Sequence, residues 1–201
     1  MSAIRNVCVY CGSSAGNDAR FGDAAEALGR ALAAEGVGLV YGGGGDGLMG
    51  RLARATLAAG GHVTGVIPDF LIRKEHALTA AHEMIVVSDM HERKRIMFDR
   101  ADAFVALPGG VGTLEELVEQ MTWAQLNRHT KPILIADIGG FWRPLLALFA
   151  HMHIEGFIRD GFDMRYLVAE RIEDALPMLR AAAERRMADP EPQDAVSPRN
   201  L

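Results

Sequence analysis

The chain has 201 residues, 49% of them hydrophobic, and its 21 Lys and Arg against 26 Asp and Glu leave a formal net charge of −5. This length and apolar content suit one domain with one core, expected over residues 1–186. The acidic balance excludes a general nucleic-acid surface, which needs clustered cations; with no secretory leader pattern and no apolar run near the about 18 residues of a membrane helix, a soluble cytoplasmic protein without a membrane partner is expected.

Apolar strand-like runs at 4–11, 37–41, 62–67, 84–88, 103–107, 132–136 and 164–168 alternate with helical runs at 18–35, 46–60, 89–101, 113–127, 141–154 and 171–186. Short strands that are apolar throughout are covered on both faces. The alternation predicts an α/β fold, a doubly wound parallel sheet flanked by helices, with ligands at the carboxyl ends of its strands. From Met187 the chain carries Pro190, Pro192 and Pro198 and few apolar residues, so a disordered tail is expected over 187–201.

The first strand ends in Cys8 and Cys11. Residues three apart on a strand point to opposite faces, and there is no second cysteine pair, so two buried strand residues are expected, not a redox or zinc motif. The loop that follows, Cys11-Gly12-Ser13-Ser14, is small and hydroxylated; it suits a phosphate or sugar and equally any tight turn. The next strand runs into Tyr41-Gly42-Gly43-Gly44-Gly45-Asp46-Gly47-Leu48-Met49-Gly50. From Gly45 this matches the G-x-G-x-x-G dinucleotide fingerprint in context, but Asp69, the nearest candidate for its acidic partner, lies beyond Pro68 and past the next strand. Four consecutive glycines imply that something approaches the backbone closely, and a ligand wall is the favoured reading.

Two further stretches carry the chemistry. Met90-His91-Glu92-Arg93-Lys94 opens a helix for which Ser88 or Asp89 is the expected N-cap, with Glu92 completing a capping box. Met90, Arg93, Met97 and Ala101 share its inward face, and an arginine there needs an anion. The run Pro108-Gly109-Gly110-Val111-Gly112-Thr113-Leu114-Glu115-Glu116 joins a strand to a helix. Bare backbone N–H groups and the positive end of the helix dipole favour a phosphate at such a junction. At 100° per residue, Thr113, Glu116, Leu117, Gln120, Met121 and Ala124 fall on one face. Glu116 therefore shares the inward stripe while Glu115 sits nearer its edge, and a buried carboxylate is costly unless paired or used.

Met90–Lys94 and Pro108–Glu116, with Gly42–Gly50 and Cys11–Ser14, resemble the Lonely Guy (LOG) family, cytokinin riboside 5′-monophosphate phosphoribohydrolases once mislabelled lysine decarboxylases. The likeness covers roughly residues 4–180 and is less clear over Asp69–His82. It implies a Rossmann-like catalytic domain, usually a homodimer, acting on nucleoside 5′-monophosphates such as AMP or isopentenyladenosine monophosphate without metal or redox cofactor. It implies Arg93 and Glu116 as the catalytic pair. It implies substrate contacts from Glu75, Arg93, Lys94, the Gly110–Glu116 loop and Thr122. The full expected contact set adds Gly12, Ser13, Gly43, Gly44, Met90 and Gly109.

The expected reaction is hydrolysis of the N-glycosidic bond to free base and ribose 5-phosphate. Glu116 stabilises the ribosyl cation or activates water, and Arg93 orients it; Asp46, Glu75 or solvent protonates the base. Met49, Met90, Met97, Met121 and Trp123 are candidates for an apolar base pocket. The alternatives are an AMP nucleosidase without cytokinin preference, a nucleotide-binding module without catalysis, or a dinucleotide-dependent oxidoreductase. A decarboxylase would need a Schiff-base lysine, and the chain has Lys74, Lys94 and Lys131 alone.

Overall fold

The computed structural model describes residues 4–158 and 165–188. Seven parallel strands form one sheet in the order β4-β3-β2-β1-β5-β6-β7. They are β1 (Asn6–Tyr10), β2 (Gly38–Tyr41), β3 (Val63–Pro68), β4 (Glu83–Val87), β5 (Ala103–Ala106), β6 (Ile133–Ala136) and β7 (Leu167–Ala169). Six helices flank them: α1 (Ala19–Ala34), α2 (Gly47–Ala58), α3 (Met90–Arg100), α4 (Val111–Gln125), α5 (Arg143–Ile154) and α6 (Ala175–Ala188). β1 and β2 are buried from end to end or nearly so, as their unbroken apolar runs predict.

The two faces of the sheet hold two apolar clusters. One gathers Val7, Val9 and Cys11 with Leu28, Leu32 and Leu52 and with Leu176 and Leu179, under α1, α2 and α6. The other gathers Cys8, Tyr10 and Phe104 with Met97, Leu117, Met121 and Phe149, under α3, α4 and α5. Cys8 and Cys11 thus lie on opposite faces, both buried and free. Each fully buried aliphatic side chain contributes about 1.5–3 kcal/mol.

β1 leads leftward to β2 and β3, whereas β5 leads rightward to β6 and β7. Ligands of open α/β sheets bind outside the carboxyl ends of strands where the order reverses. Here that crevice lies between the loops after Tyr10 and after Ala106, which are tied together by Gly12 N–H donating to Pro108 O at 3.1 Å.

Several boundaries differ from the sequence expectation. α4 begins at Val111, two residues early, because Gly110 is extended and serves as its N-cap, so Gly112 lies inside the first turn. Residues 172–174 form a separate 3-10 turn, and α6 then runs from Ala175 to Ala188, past the expected boundary at 186. Residue 164 of the last expected strand and residues 189–201 of the expected tail lie outside the described residues. Among the described residues no helix is long and apolar enough to cross a membrane.

Candidate active site

The crevice at the strand-order reversal is lined by residues from every glycine loop. Tyr10, Cys11, Gly12 and Ser13 come from the end of β1, Gly42 from the β2–α2 connection and Met49 from the first turn of α2. Met90 and Arg93 come from α3, Gly110–Thr113 with Glu115 and Glu116 from α4, and Glu75 from the β3–β4 connection. Of the expected base-pocket candidates, Met49 and Met90 line it. Met97 and Met121 are fully buried in the core, and Trp123 packs edge-on against Phe98.

The helix expected to carry Arg93 forms because Asp89 caps it, its Oδ1 accepting from His91 N–H at 2.8 Å and Glu92 N–H at 2.9 Å. Glu92 does not close the expected capping box on Asp89. It reaches one residue further back, accepting from Ser88 N–H and Oγ at 3.0 Å each. This start aims Arg93 inward, 7% exposed. Its Nε donates to Val66 O at 3.1 Å and its Nη2 to Gly42 O at 3.3 Å, leaving Nη1 at 3.2 Å from Glu116 Oε1. The guanidinium is thus held by two backbone carbonyls and pointed at one carboxylate. A bare Arg has many rotamers; this one is preorganised by the sheet.

The inward stripe of α4 is the one its periodicity predicts, with Thr113, Glu116, Leu117, Gln120, Met121 and Ala124 buried. Glu116 is 8% exposed. Burial pushes its carboxyl up to about 7, against the lowering pull of Arg93, with Glu115 and Glu75 adding to the rise and Lys94 opposing it. A carboxyl that exchanges its proton near neutral pH, fixed in a cleft, is suited to acid–base work.

The glycine loops divide into two kinds. At Gly110 and Gly112 an added Cβ would meet no atom within 4 Å, and neighbouring Val111 is 82% exposed. The first N–H groups of α4 have no partner inside the helix, so this end presents donors to the cleft. The β2–α2 glycines, by contrast, are filled by the protein itself. A Cβ at Gly42 would overlap Arg93 Nη2, and one at Gly45 would overlap the backbone carbonyl of His76. The N-terminus of α2 is also closed, since Leu48 and Met49 N–H both donate to Gly12 O, at 3.1 and 3.3 Å. The close approach foreseen at Gly42–Gly45 is therefore made by Arg93, Ile67, Met49 and His76 in turn, and no pyrophosphate can rest on α2 as a dinucleotide fold requires. Gly42→Ala tests this packing directly. Its φ is not in the left-handed region, so the effect is steric. We expect turnover to fall at least about tenfold and stability by about 1–3 kcal/mol, checked by steady-state kinetics and thermal melting.

The other expected contacts fall unevenly. Gly43, Gly44, Gly109 and Leu114 lie beside the cleft-lining residues without lining it themselves. Lys94, expected as a phosphate contact, is instead clamped by Glu115 Oε1 at 2.7 Å and Glu119 Oε1 at 2.9 Å, which raise its proton affinity despite burial. Thr122 is exposed on the far side of α4, its hydroxyl donating to Val118 O at 2.8 Å. The carbonyls of Val66 and Gly42 that fix Arg93 carried no sequence signal, because any residue supplies a carbonyl.

The profile of a family described as “Possible lysine decarboxylase” matches residues 49–179. None of the three lysines of the chain lines the cleft. A cytokinin riboside 5′-monophosphate phosphoribohydrolase of Rhodococcoides fascians is 44% identical over 178 residues, 88% of this chain and 90% of that protein. The Arabidopsis thaliana enzyme of the same name, LOG1, is 47% identical over 157 residues, 78% of this chain and 74% of that one. Among solved structures, the molybdenum cofactor carrier protein of Chlamydomonas reinhardtii superposes with a TM-score of 0.65 at 21% identity, covering 92% of this chain and 98% of that one. That likeness speaks for the fold alone.

Proposed function

Since the chain belongs to the LOG family of cytokinin riboside 5′-monophosphate phosphoribohydrolases, we propose that it cleaves the N-glycosidic bond of adenine-type nucleoside 5′-monophosphates, releasing free base and ribose 5-phosphate. The observation that carries this reading is the buried Arg93–Glu116 pair one turn from the open N-terminus of α4. The 5′-phosphate rests on the N–H groups of Gly110–Thr113, where the helix dipole favours it. That puts the ribose over Glu116 and the base toward Met49 and Met90. Breaking the bond to the base builds positive charge on the ribose, as in glycoside hydrolysis. Ionised Glu116 stabilises that charge and takes a proton from the attacking water, while Arg93 holds the carboxylate in place.

Incubation with AMP, isopentenyladenosine monophosphate, GMP and CMP, followed by chromatography of free base and ribose 5-phosphate, tests the reading. We expect turnover of the two adenine-type compounds, with GMP and CMP at least about tenfold slower, since a mispaired polar edge in a pocket costs on the order of 1–3 kcal/mol. Tight nucleotide binding with no ribose 5-phosphate would leave only a binding module.

A cytoplasmic homodimer is part of the proposal. The outward face of α4 exposes Val111, Val118 and Leu126 alongside Thr122, and α5 buries only Phe149 while Leu148, Met152 and Ile154 stay exposed. Both helices cover the same side of the sheet, so a second copy seated there would cover this apolar surface and approach the cleft mouth at Val111 and Glu115. Lys94 and Thr122 reach substrate, in this reading, only across such an interface. Sedimentation velocity is expected to give a dimer, and Val118→Glu with Leu126→Glu a monomer with reduced turnover.

A further inference from the structure

The connection between β3 and β4, residues 69–82, lies as a strap against the β2–α2 loop and sends Glu75 into the cleft. It begins with a 3-10 turn, Asp69–Leu71, and Glu75 N–H then donates to Leu71 O at 2.9 Å. Two backbone bonds fasten it to the β2–α2 loop: Gly45 N–H to Glu75 O at 2.9 Å and Leu78 N–H to Gly43 O at 3.0 Å. His76 holds φ +45 and pairs with Asp46 at 2.5 Å. Such a left-handed residue persists only where its surroundings over-determine it, and these do so beside Glu75. The strap therefore fixes where Glu75 stands.

Glu75 lines the cleft on the wall that carries Met49. Its Oε2 is buried and has no hydrogen-bond partner among the described residues. A Cβ at Gly44 would come within 2.7 Å of the Met49 methyl and 3.3 Å of that oxygen, so both sit against the same bare backbone. The two cleft carboxylates keep different company. Glu116 faces Arg93, whereas the inner oxygen of Glu75 is offered no donor by the described residues. That leaves the oxygen open to a substrate nitrogen on the base side of the cleft.

Hydrolysis of an N-glycosidic bond moves two protons, one off the attacking water and one onto the departing base, and Glu116 accounts only for the first. We infer that Glu75 is the acid that protonates the leaving base, an inference that rests on the hydrolase reading above. The carboxyl proton of Glu75 passes to a ring nitrogen as the C1′–N bond breaks, and that bond's electron pair stays with the base. The water oxygen bonds to C1′ and its proton goes to Glu116. Glu75 has then lost one proton and Glu116 gained one, and exchange with solvent restores both. A pair of carboxyls, one acting as acid and the other as base, is the established solution for glycoside cleavage.

The test compares Glu75→Gln with the unsubstituted protein on AMP and on 4-nitrophenyl β-D-ribofuranoside 5-phosphate, whose phenolate departs without a proton. We expect kcat on AMP to fall by about 10²-fold or more and kcat on the nitrophenyl compound by less than about tenfold. Glu75→Ala should regain AMP turnover when imidazole buffer is added near pH 7, its imidazolium serving as an external acid. Equal losses on both substrates without imidazole rescue, or no loss on AMP, would overturn the proton donor and leave Glu75 a binding residue or a bystander. An unsubstituted protein that releases ribose 5-phosphate from neither compound would overturn the hydrolase reading itself.

Discussion

Glu116→Gln is expected to lower kcat on AMP by about 10²–10⁴, the range for a positioned acid–base group, while nucleotide still binds. The amide keeps the shape of the side chain and can accept from Arg93 Nη1, which lies 3.2 Å from the carboxylate it replaces. It cannot take a proton from water or offset charge on the ribose. Turnover near that of the unsubstituted protein, with AMP affinity unchanged, would remove Glu116 from the chemistry. The pH profile gives a second reading of the same residue. Burial, opposed by Arg93, brings the Glu116 carboxyl up to about 7. If the ionised form is the working one, kcat/KM on 4-nitrophenyl β-D-ribofuranoside 5-phosphate, whose leaving group needs no proton, should rise with pH to a plateau above about 7 and fall tenfold per unit below it.

The stability sign is the opposite. The folded state binds the Glu116 proton more tightly than the unfolded chain does. The resulting stabilisation is complete below the unfolded carboxyl's range near about 4.3 and lost as pH rises through about 7. A permanently neutral Gln escapes that loss, so the melting temperature of Glu116→Gln at pH 8 should not drop below that of the unsubstituted protein. Activity and stability then move apart on one substitution, which is the mark of a group retained for function.

Arg93→Ala is expected to cost both. It strips Glu116 of its cation and leaves the carbonyls of Val66 and Gly42 without their donor. Removing one member of a buried pair costs about 3–5 kcal/mol, with each orphaned carbonyl among the causes. The effect on chemistry is electrostatic. Without Arg93 only Lys94 opposes the forces that raise the Glu116 carboxyl, so the base is protonated at neutral pH. We expect turnover at pH 7 to fall at least about 10²-fold, nucleotide affinity to fall as well, and part of the turnover to return at higher pH. Chemical denaturation and a pH series on the same variant check the two halves separately. Full activity at pH 7 would show that Glu116 does not depend on its partner.

Much of the site is written in periodicities that any single chain obeys. The 3.6-residue repeat separates Glu116 from Glu115 and Arg93 from Arg95, because helix geometry fixes which side chains turn inward before any partner is known. The alternation of apolar runs dictates the parallel sheet. Pro108-Gly109-Gly110 dictates a turn into α4, although not that the helix would begin at Val111. The LOG motifs carry the reaction class on the same residues.

What sequence could not settle was which of two similar glycine loops stays open. Both follow a strand and precede a helix. Only the packed structure shows that Gly12 O caps α2, that Arg93 fills the space beside Gly42, and that His76 fills the space beside Gly45, whereas Gly110 and Gly112 face the cleft. These contacts join residues more than 30 positions apart, and no local pattern encodes them. The same holds for Lys94, whose charge was legible but whose partners on α4 were not, and for Glu75, placed by a strap with weak helical or strand character. Local spacing determined which side chains point inward. The sheet order, by bringing the ends of β1, β2 and β5 together, decided which of them meet.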